Sequence, residues 1–208
     1  MHVFPKQPKK HGLETTSYPL TKTQSFHMQN NQLNGIFTKF EEIDWRNWVG
    51  EIRATLVFVV KNGQVMLIRK KRGLGAGKIN GPGGKIDPGE TALQAAIRET
   101  QEEIRITPKQ IEKYGELLFQ FVDGLSIHCH VFKAHAFEGT PQETTEAIPM
   151  WTPLHEIPFD EMWEDDRIWL PLMLAGQKFT GRFLFDDESM VGHALELHPP
   201  QGDDWLTA

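Results

Sequence analysis

A pair of glycines followed by four glutamates and an arginine has a spacing suited to chemistry on a phosphate chain. The run from Gly83 to Ile106 reads GGKIDPGETALQAAIRETQEEIRI. Its candidate functional residues are Gly84, Glu90, Arg98, Glu99, Glu102 and Glu103. Carboxylate oxygens are hard ligands that suit Mg²⁺, which proteins usually bind through carboxylates together with substrate phosphates. The segment therefore predicts a divalent-cation site beside a glycine loop.

A helix over this segment would sort its side chains onto two faces. One turn every 3.6 residues places Glu99, Glu102 and Glu103 on one side. The other side carries the stripe expected to face the core, which consists of Leu93, Ala96, Ile97, Thr100 and Ile104. Thr91 and Gln94 have the spacing of a capping box, so the helix is predicted to begin there. A hydrated face is the alternative for the glutamates, but their position beside the glycine loop favours the metal site.

Basic residues gather just before the acidic helix, and they are Lys70, Lys71, Arg72, Lys78 and Lys85. Phosphate chemistry needs cations as well as carboxylates, because the attacked phosphorus and the leaving group share several negative oxygens. Lys70 and Lys85 are the candidates for phosphate contact. Arg98 is expected to orient Glu99 or Glu90, and the backbone carbonyl of Gly83 is a further candidate metal ligand.

The segment resembles the signature of the Nudix hydrolases, Gx5Ex7REUxEExGU, in which U is aliphatic. Two positions depart from it: Thr100 stands where an aliphatic residue is expected, and Arg105 stands where the second glycine belongs. That glycine would normally supply a left-handed turn at the end of the helix. The resemblance implies an α/β fold, the Nudix α/β/α sandwich with a mixed β-sheet, and dependence on Mg²⁺, with Mn²⁺ as an alternative.

The resemblance also implies a reaction, in which a metal-activated water attacks a phosphorus of a triphosphate chain and releases a nucleoside monophosphate and pyrophosphate. Glu99, Glu102 and Glu103 are the implied metal ligands, and Glu102 is the candidate general base. Glu146 is implied either as a further metal ligand or as the base itself. The sequence leaves the choice between Glu102 and Glu146 open.

Four stretches resemble members of the family that act on oxidised purine nucleoside triphosphates. They are KKRGLGAGKINGPGGK from Lys70, GELLFQFVDG from Gly115, GTPQETTEAIPMW from Gly139 and IPFDEMWEDDRIWLPLML from Ile157. The resemblance implies that the triphosphate lies against Gly83 and Gly84. It implies a purine pocket bordered by Thr55 and built from Asn80, Phe119, Phe121, Trp163, Asp165 and Asp166.

The purine pocket has simpler alternatives, since an acidic run such as 160–166 is normally hydrated surface and Trp163 would normally be core. If Asp165 and Asp166 meet in a pocket, close carboxylates cannot both ionise readily, and one would keep its proton near neutral pH. Exchange of that proton would let one pocket bind different oxidised purines. Leu74 stands where the related members have a phenylalanine near the base, so weaker stacking is expected.

Composition and charge restrict the class of protein. The 208 residues show no second hydrophobic block, which predicts one globular domain with an extension. The resemblance implies that the Nudix domain covers 51–208 and that the N-terminal extension covers 1–50. The longest apolar run, Leu56 to Val60, is far too short to span a bilayer. A single cysteine, Cys129, predicts a reducing compartment, the cytoplasm. The net charge of −6 argues against binding to duplex nucleic acid, although it permits a nucleotide substrate.

The N-terminal extension has no apolar signal core and no arginine before Arg46, so a targeting segment is the weaker interpretation. A flexible arm is predicted up to about Gly35. Beyond it the chain is too apolar for a free tail, with Phe37, Phe40, Ile43, Trp45 and Trp48. These residues are expected to pack on the domain or on a second subunit, which leaves a monomer or a homodimer.

Alternation and turn residues predict a mixed α/β order. Asn62 and Gly63 predict a hairpin between strands at 53–60 and 64–69. Further strands are predicted at 117–122, 127–136, 179–185 and 194–197, with a short helix that includes 166–175. His128 and His130 would face one way on their strand and Cys129 the other, which argues against one tetrahedral metal site for all three.

Three classes of function are compatible with these features. The leading one is a nucleotide-pool diphosphatase for oxidised or otherwise modified purine triphosphates, such as 8-oxo-dGTP. The second is a Nudix hydrolase of another diphosphate, such as ADP-ribose, a dinucleoside polyphosphate or an RNA cap, and Asn80 together with Trp163 to Asp166 argues against it. The third is a non-catalytic nucleotide sensor, which would be expected to lack catalytic glutamates that this chain retains.

Overall fold

A computed structural model of the chain describes residues 36–199, so the predicted flexible arm lies outside the described residues. Within this range the chain forms eight strands and two α-helices. In chain order they are β1 (Ile52–Lys61), β2 (Gln64–Lys70), β3 (Ile79–Asn80), α1 (Ala92–Ile104), β4 (Ile106–Phe121), β5 (Ser126–Gly139), β6 (Ala147–Pro153), α2 (Asp166–Leu174), β7 (Lys178–Asp186) and β8 (Ser189–His198).

The strands form a mixed sheet in the order β3-β2-β1-β5-β4-β7-β8, with β6 paired to β2. The β1–β5 and β4–β7 pairs are parallel and the other pairs are antiparallel. The predicted hairpin is confirmed, because Asn62 (φ 53°) and Gly63 (φ 73°) both adopt the left-handed backbone that such a two-residue turn requires. β3 and β6 were not predicted, and the strand predicted at 117–122 is only the end of β4.

The two helices cover opposite faces of the sheet, which confirms the predicted α/β/α sandwich. Trp169, Leu170 and Met173 of α2 pack into the larger core cluster with Phe58 and Phe183. A second core cluster joins Ala96 and Ile104 of α1 to the sheet residues Val57, Val59, Met66, Ile68, Phe132 and Ala134. Neither helix of the described residues is long and apolar enough to cross a bilayer.

The helix α1 begins at the predicted capping box. The Thr91 backbone N–H donates to Gln94 Oε1 at 2.9 Å, and the Gln94 N–H donates to Thr91 Oγ1 at 3.2 Å. Its end falls at Arg105, whose φ of 64° and ψ of 24° are the left-handed values usually supplied by glycine. The prediction that Leu93 faces the core was wrong, because Leu93 is 44% exposed and the adjacent Ala95 is buried instead.

Residues 36–50 contact the face of the sheet opposite α2. The Trp48 indole N–H donates to Gln120 Oε1 at 2.9 Å, and its ring lies edge-on to His128 at 6.5 Å. Ile43 is buried. Phe40 packs closely on Gly192, and a Cβ added to Gly192 would lie 2.5 Å from the Phe40 Cβ. Of the two predicted environments for these apolar residues, the structure shows packing on the domain.

Candidate active site

A cavity of about 520 Å³ opens beside the glycine loop and extends to the N-terminal end of α2. All eleven residues predicted to bind substrate line it: Thr55, Lys70, Asn80, Gly83, Gly84, Lys85, Phe119, Phe121, Trp163, Asp165 and Asp166. The elements that bring them together are the strands β1 to β4, the loop before α1 and the segment leading into α2. Positions far apart in the sequence therefore share one compartment.

At one end of the cavity, Glu103 fixes the glycine loop to α1. Its Oε2 accepts the Gly83 backbone N–H at 2.8 Å, and its Oε1 lies 3.3 Å from Lys70 Nζ. Glu103 is only 2% exposed, and burial raises its pKa against the lowering effect of Lys70. A Cβ at Gly83 would lie 2.0 Å from the Thr55 carbonyl oxygen, so only glycine permits this close approach.

Arg98 holds three glutamates at the same end. It donates to both carboxylate oxygens of Glu90 at 2.8 and 2.9 Å, to Glu99 Oε1 at 2.8 Å and to Glu102 Oε2 at 3.2 Å. The hydrogen bonds from Arg98 to Glu90 lower the pKa of the Glu90 carboxyl to about 2. Burial raises the pKa of Glu99 despite Arg98, and a Cβ at Gly84 would lie 2.5 Å from the Glu99 carboxylate. Arg98 thus occupies the orienting position expected from the sequence.

Glu102 and Glu146 are more exposed to solvent than Glu99 and Glu103. Their side chains are 52% and 30% exposed, and Arg72 pairs with the Glu146 carboxylate. Thr144 connects the loop before β6 to α1 through a hydrogen bond of its Oγ1 to the Glu103 carbonyl at 2.8 Å. Among residues 36–199, the predicted metal ligands Glu99, Glu102, Glu103 and Glu146 do not form a group of three ligand atoms within 4.8 Å.

This end of the cavity nevertheless fits a divalent cation. Glu99 and Glu103 are carboxylates with small side-chain exposures of 15% and 3%, and burial disfavours their charged forms. A hard cation would offset that cost, since Mg²⁺ binds through one or two carboxylates plus substrate oxygens. Arg98 also donates to Glu90 and to the Lys85 carbonyl, so it keeps partners if Glu99 and Glu102 turn to an ion.

The five basic residues have three different environments in the structure. Lys70 and Lys85 line the cavity, as the phosphate interpretation requires. Lys71 and Arg72 instead form ion pairs with Glu143 and Glu146 outside it. Lys78 lies over the Trp163 ring at 5.1 Å and pairs with Glu188 at 3.1 Å.

The opposite end of the cavity is aromatic. Trp163 meets Phe121 edge-on at 6.3 Å and Phe185 edge-on at 5.6 Å, and the two phenylalanine rings stack on each other at 5.6 Å. Such a wall is apolar and flat, and offers planar surfaces for a heterocyclic base. Leu74, at the position where an aromatic residue was expected by resemblance, lines the same cavity and is 53% exposed.

Two buried aspartates face this aromatic end, so the hydrated-surface alternative is wrong for Asp165 and Asp166, which are each 2% exposed. Asp165 Oδ2 accepts the Trp169 indole N–H at 2.8 Å, and Asp166 Oδ2 accepts the Trp163 backbone N–H at 3.1 Å. Burial raises the pKa of Asp165 to about 7 and raises that of Asp166 well above its usual range. Near neutral pH the pair therefore retains a proton and can both donate and accept hydrogen bonds.

Thr55 lines the cavity and has a buried side-chain oxygen. Its Oγ1 has no hydrogen-bond partner among the described residues, although Thr55 is only 1% exposed. A buried hydroxyl without a partner costs free energy, so such groups often mark a ligand contact. Asn80, by contrast, uses its Oδ1 to accept the Gly81 backbone N–H at 2.7 Å.

Part of the cavity lining was not predicted from the sequence. The additional residues are Ile52, Ala54, Leu56, Gly73, Leu125, Ile127, Cys129 and Phe185. Strand alternation contains the signal for two of them, because Ile127 and Cys129 share the β5 face that neighbours Phe119 and Phe121 on β4. The other positions depend on the pairing of strands distant in sequence, for which no local pattern exists.

Comparison with known proteins agrees with this geometry. The model of the NUDIX domain matches residues 50–173. The oxidized purine nucleoside triphosphate hydrolase of Danio rerio is 45% identical over 144 residues, which cover 68% of this chain and 92% of that protein. The Mus musculus protein of the same name is 42% identical over 138 residues, covering 66% and 88%.

The fold is similar to that of a solved structure as well. The MutT mutator protein from Bacillus halodurans superimposes with a TM-score of 0.63 at 28% identity, covering 70% of this chain and 97% of that one. The NUDIX domain match spans more than half of the chain, and it includes the glycine loop, α1 and most of the cavity. The chain therefore belongs to the Nudix family.

Proposed function

We propose that the protein is a Mg²⁺-dependent Nudix diphosphatase that converts oxidised purine nucleoside triphosphates to monophosphates and pyrophosphate. The observation that carries the proposal is one continuous cavity, which joins an aromatic end with two buried aspartates to an end with lysines and a glycine loop. The buried Glu103 contacts that second end through Gly83 and Lys70. A nucleotide has the same division into a flat polar base and a charged phosphate chain. The names of the vertebrate relatives support the same substrate class.

At the phosphate end, Lys70 and Lys85 supply positive charge, and the Gly83–Gly84 backbone permits close approach. Glu99, Glu102 and Glu103 are proposed to hold the divalent cation, with Glu146 and the Gly83 carbonyl as further ligands. When bound, the cation would offset negative charge that develops on the phosphate oxygens. Mn²⁺ has similar ligand preferences and is expected to substitute.

Glu102 is proposed as the base that takes a proton from the attacking water. Its side chain is the most exposed of the three on α1, and its contact with Arg98 at 3.2 Å is longer than that of Glu99 at 2.8 Å. It can therefore turn toward the phosphate chain at lower cost than the buried Glu99 or Glu103. Glu146 remains the alternative base, because its loop is connected to the end of α1 through Thr144.

At the base end, Trp163, Phe119 and Phe121 are proposed to contact the ring, while Asp165 and Asp166 read its polar edge. One aspartate donates its proton and the other accepts, so exchanging the proton would accommodate purines with different edge patterns. The Asn80 amide and the Thr55 hydroxyl provide further polar contacts. Oxidation at a purine ring changes its donors and acceptors, which is the difference such an edge can distinguish.

A substrate panel tests the proposal directly. Purified protein with Mg²⁺ is given normal and oxidised purine triphosphates, ADP-ribose and dinucleoside polyphosphates, and the products are separated by chromatography. Preferential release of pyrophosphate from an oxidised purine triphosphate is expected. Predominant cleavage of ADP-ribose would instead assign the enzyme to another substrate class of the family, while no turnover of any compound would point to a nucleotide sensor.

The variant Glu102→Gln tests the proposed base. Loss of a general base typically lowers turnover by about 10² to 10⁴-fold, whereas substrate binding should change little. Glu156→Gln is the matched control, because the Glu156 side chain is 63% exposed and lies outside the cavity lining. A Glu102→Gln variant with wild-type kcat would transfer the role to Glu146, which Glu146→Gln then checks.

We further propose that the enzyme acts in a reducing compartment, the cytoplasm, on free nucleotides. Its single cysteine, Cys129, is buried and unpaired, and the net charge of −6 disfavours binding to duplex nucleic acid. Light scattering of the purified chain distinguishes a monomer from a homodimer.

A further inference from the structure

His130 is a buried polar side chain that the proposed reaction does not use. It lies on β5 and is 8% exposed, yet neither of its ring nitrogens has a hydrogen-bond partner among the described residues. Its Nδ1 points toward Glu116 Oε1 at 3.6 Å. A buried imidazole without partners costs free energy, and in native proteins such a group calls for a ligand.

Two neighbours complete a set of potential metal ligands. Glu116 pairs with His130 in the β4–β5 register, and His128 lies two residues along β5 on the same face. His128 Nε2 is 3.0 Å from Glu116 Oε2, and the two imidazole rings have centroids 4.6 Å apart. One ligand atom from each of the three residues falls within 4.8 Å of the others.

We propose that Glu116, His128 and His130 form a binding site for a transition-metal ion of the Zn²⁺ type. Zinc bonds to imidazole nitrogen and carboxylate oxygen are about 2.0–2.2 Å long, so tetrahedral ligands lie about 3.3–3.5 Å apart. Both histidines lie at comparable separations from the Glu116 carboxylate, with His128 Nε2 3.0 Å from Oε2 and His130 Nδ1 3.6 Å from Oε1. Two histidines and one glutamate are a known zinc ligand set that leaves the fourth position to water.

The site is distinct from the proposed Mg²⁺ site in both place and chemistry. Alternation along β4 and β5 directs Phe119 and Cys129 into the nucleotide cavity and the three ligands to the other face of the sheet, on which α1 also packs. The charged side chains that act most strongly on His130 are Lys113, His128, Glu116 and Arg53, not the glutamates of α1. Imidazole nitrogen favours zinc, whereas the glutamates of α1 offer oxygen alone. The inference therefore does not depend on the proposed function.

Positive charge near the cluster opposes an ion and supplies a control. Lys113 pairs with Glu116, and Arg53 on β1 lies opposite His128 in the strand register. The Lys113 side chain is 42% exposed, so it can turn into solvent when the ion binds. Removing the positive charge of Lys113 should therefore tighten zinc binding. If the cluster were only a set of ion pairs, the same substitution would produce no zinc binding.

Calorimetric titration of the full chain with Zn²⁺ tests the proposal. The protein is first stripped of metal and then saturated with Mg²⁺, which occupies the glutamates of α1. One zinc ion per chain is expected for the wild type. His128→Gln should weaken binding at least tenfold, and Lys113→Gln should strengthen it. His155→Gln is the matched control, since the His155 side chain is 80% exposed and lies outside the cluster.

X-ray absorption of the zinc-loaded wild type provides a readout that does not depend on variants folding. Two imidazole nitrogens with oxygen donors are expected and would support the site. A sulfur ligand would mean that Cys129 binds the ion, which would overturn the assignment. Absence of zinc binding in the presence of Mg²⁺, or undiminished affinity in a folded His128→Gln protein, would overturn it too.

Discussion

Replacing Asp165 with asparagine should remove much of the pH dependence of the protein's stability. Asp165 is 2% exposed, and burial raises its pKa to about 7 from an ordinary value of 3.8. Because the folded state keeps this proton where the unfolded state has lost it, stability falls as pH rises between those two values. Asparagine carries no titratable proton, yet its amide oxygen can still accept the Trp169 indole N–H.

The size of the effect follows from the width of that pH window. Each pH unit between the two values costs about 1.4 kcal/mol, so the wild type loses about 4 kcal/mol from pH 4 to pH 7 through this group. Between about pH 5 and pH 8, about two pH units lie inside that window, so the free energy of unfolding of the wild type should fall by about 3 kcal/mol through this group. Asp166 adds to the effect in the same direction, because burial and, after it, the charge of Asp165 raise the pKa of the Asp166 carboxyl.

Denaturant unfolding followed by tryptophan fluorescence at both pH values measures this difference. The free energy of unfolding of Asp165→Asn minus that of the wild type should increase by about 3 kcal/mol from pH 5 to pH 8. Asp160→Asn is the control from the same acidic run, because the Asp160 side chain is 99% exposed and should show no such trend. If wild type and Asp165→Asn change in parallel with pH, Asp165 ionises normally and the burial argument fails.

Three further substitutions test individual features. Arg105→Gly should stabilise the protein by about 0.5–1 kcal/mol in denaturant unfolding, since glycine adopts a φ of 64° without strain, whereas Gln101→Gly within α1 should destabilise it by about 1 kcal/mol. Thr55→Val removes a buried hydroxyl without a partner among residues 36–199, so the melting temperature should hold or rise while KM increases if the hydroxyl binds substrate. Leu74→Phe should lower KM for the oxidised purine substrate roughly fivefold in steady-state assays, because an added aromatic contact is worth about 1 kcal/mol.

The sequence predicted best where function and local structure depend on the same short segment. In α1, the capping residues, the glutamates and the glycine loop lie within one continuous run, so their spacing alone located the helix and one end of the cavity. The departure at Arg105 was also informative, because the chain keeps the left-handed turn although it lacks the glycine. The geometry of the helix end is imposed by the following strand, and the residue there accommodates it.

Features that depend on strand pairing were not predictable in the same way. Nothing local to Glu116 indicates that it lies opposite His130, because their pairing follows from the register of β4 against β5. Leu93 occupies a helical position expected to be apolar and buried, but the sheet meets α1 at Ala95 and Ala96 instead. Periodicity identifies a stripe, whereas the tertiary contact determines how far round the helix that stripe extends.

Buried carboxylates line one end of the cavity and lie behind the glycine loop at the other, and their surroundings prepare them for different chemistry. Glu99 and Glu103 contact Arg98 and Lys70, so cationic groups already favour their ionised forms and an ion can replace part of that contact. Within residues 36–199, Asp165 and Asp166 form no ion pair, and Asp165 is held by the indole N–H of Trp169. A neutral donor stabilises charge less than a cation does, so the aspartates retain a proton where the glutamates bind positive charge. The same functional group thereby serves phosphate chemistry at one end and recognition of a neutral base at the other.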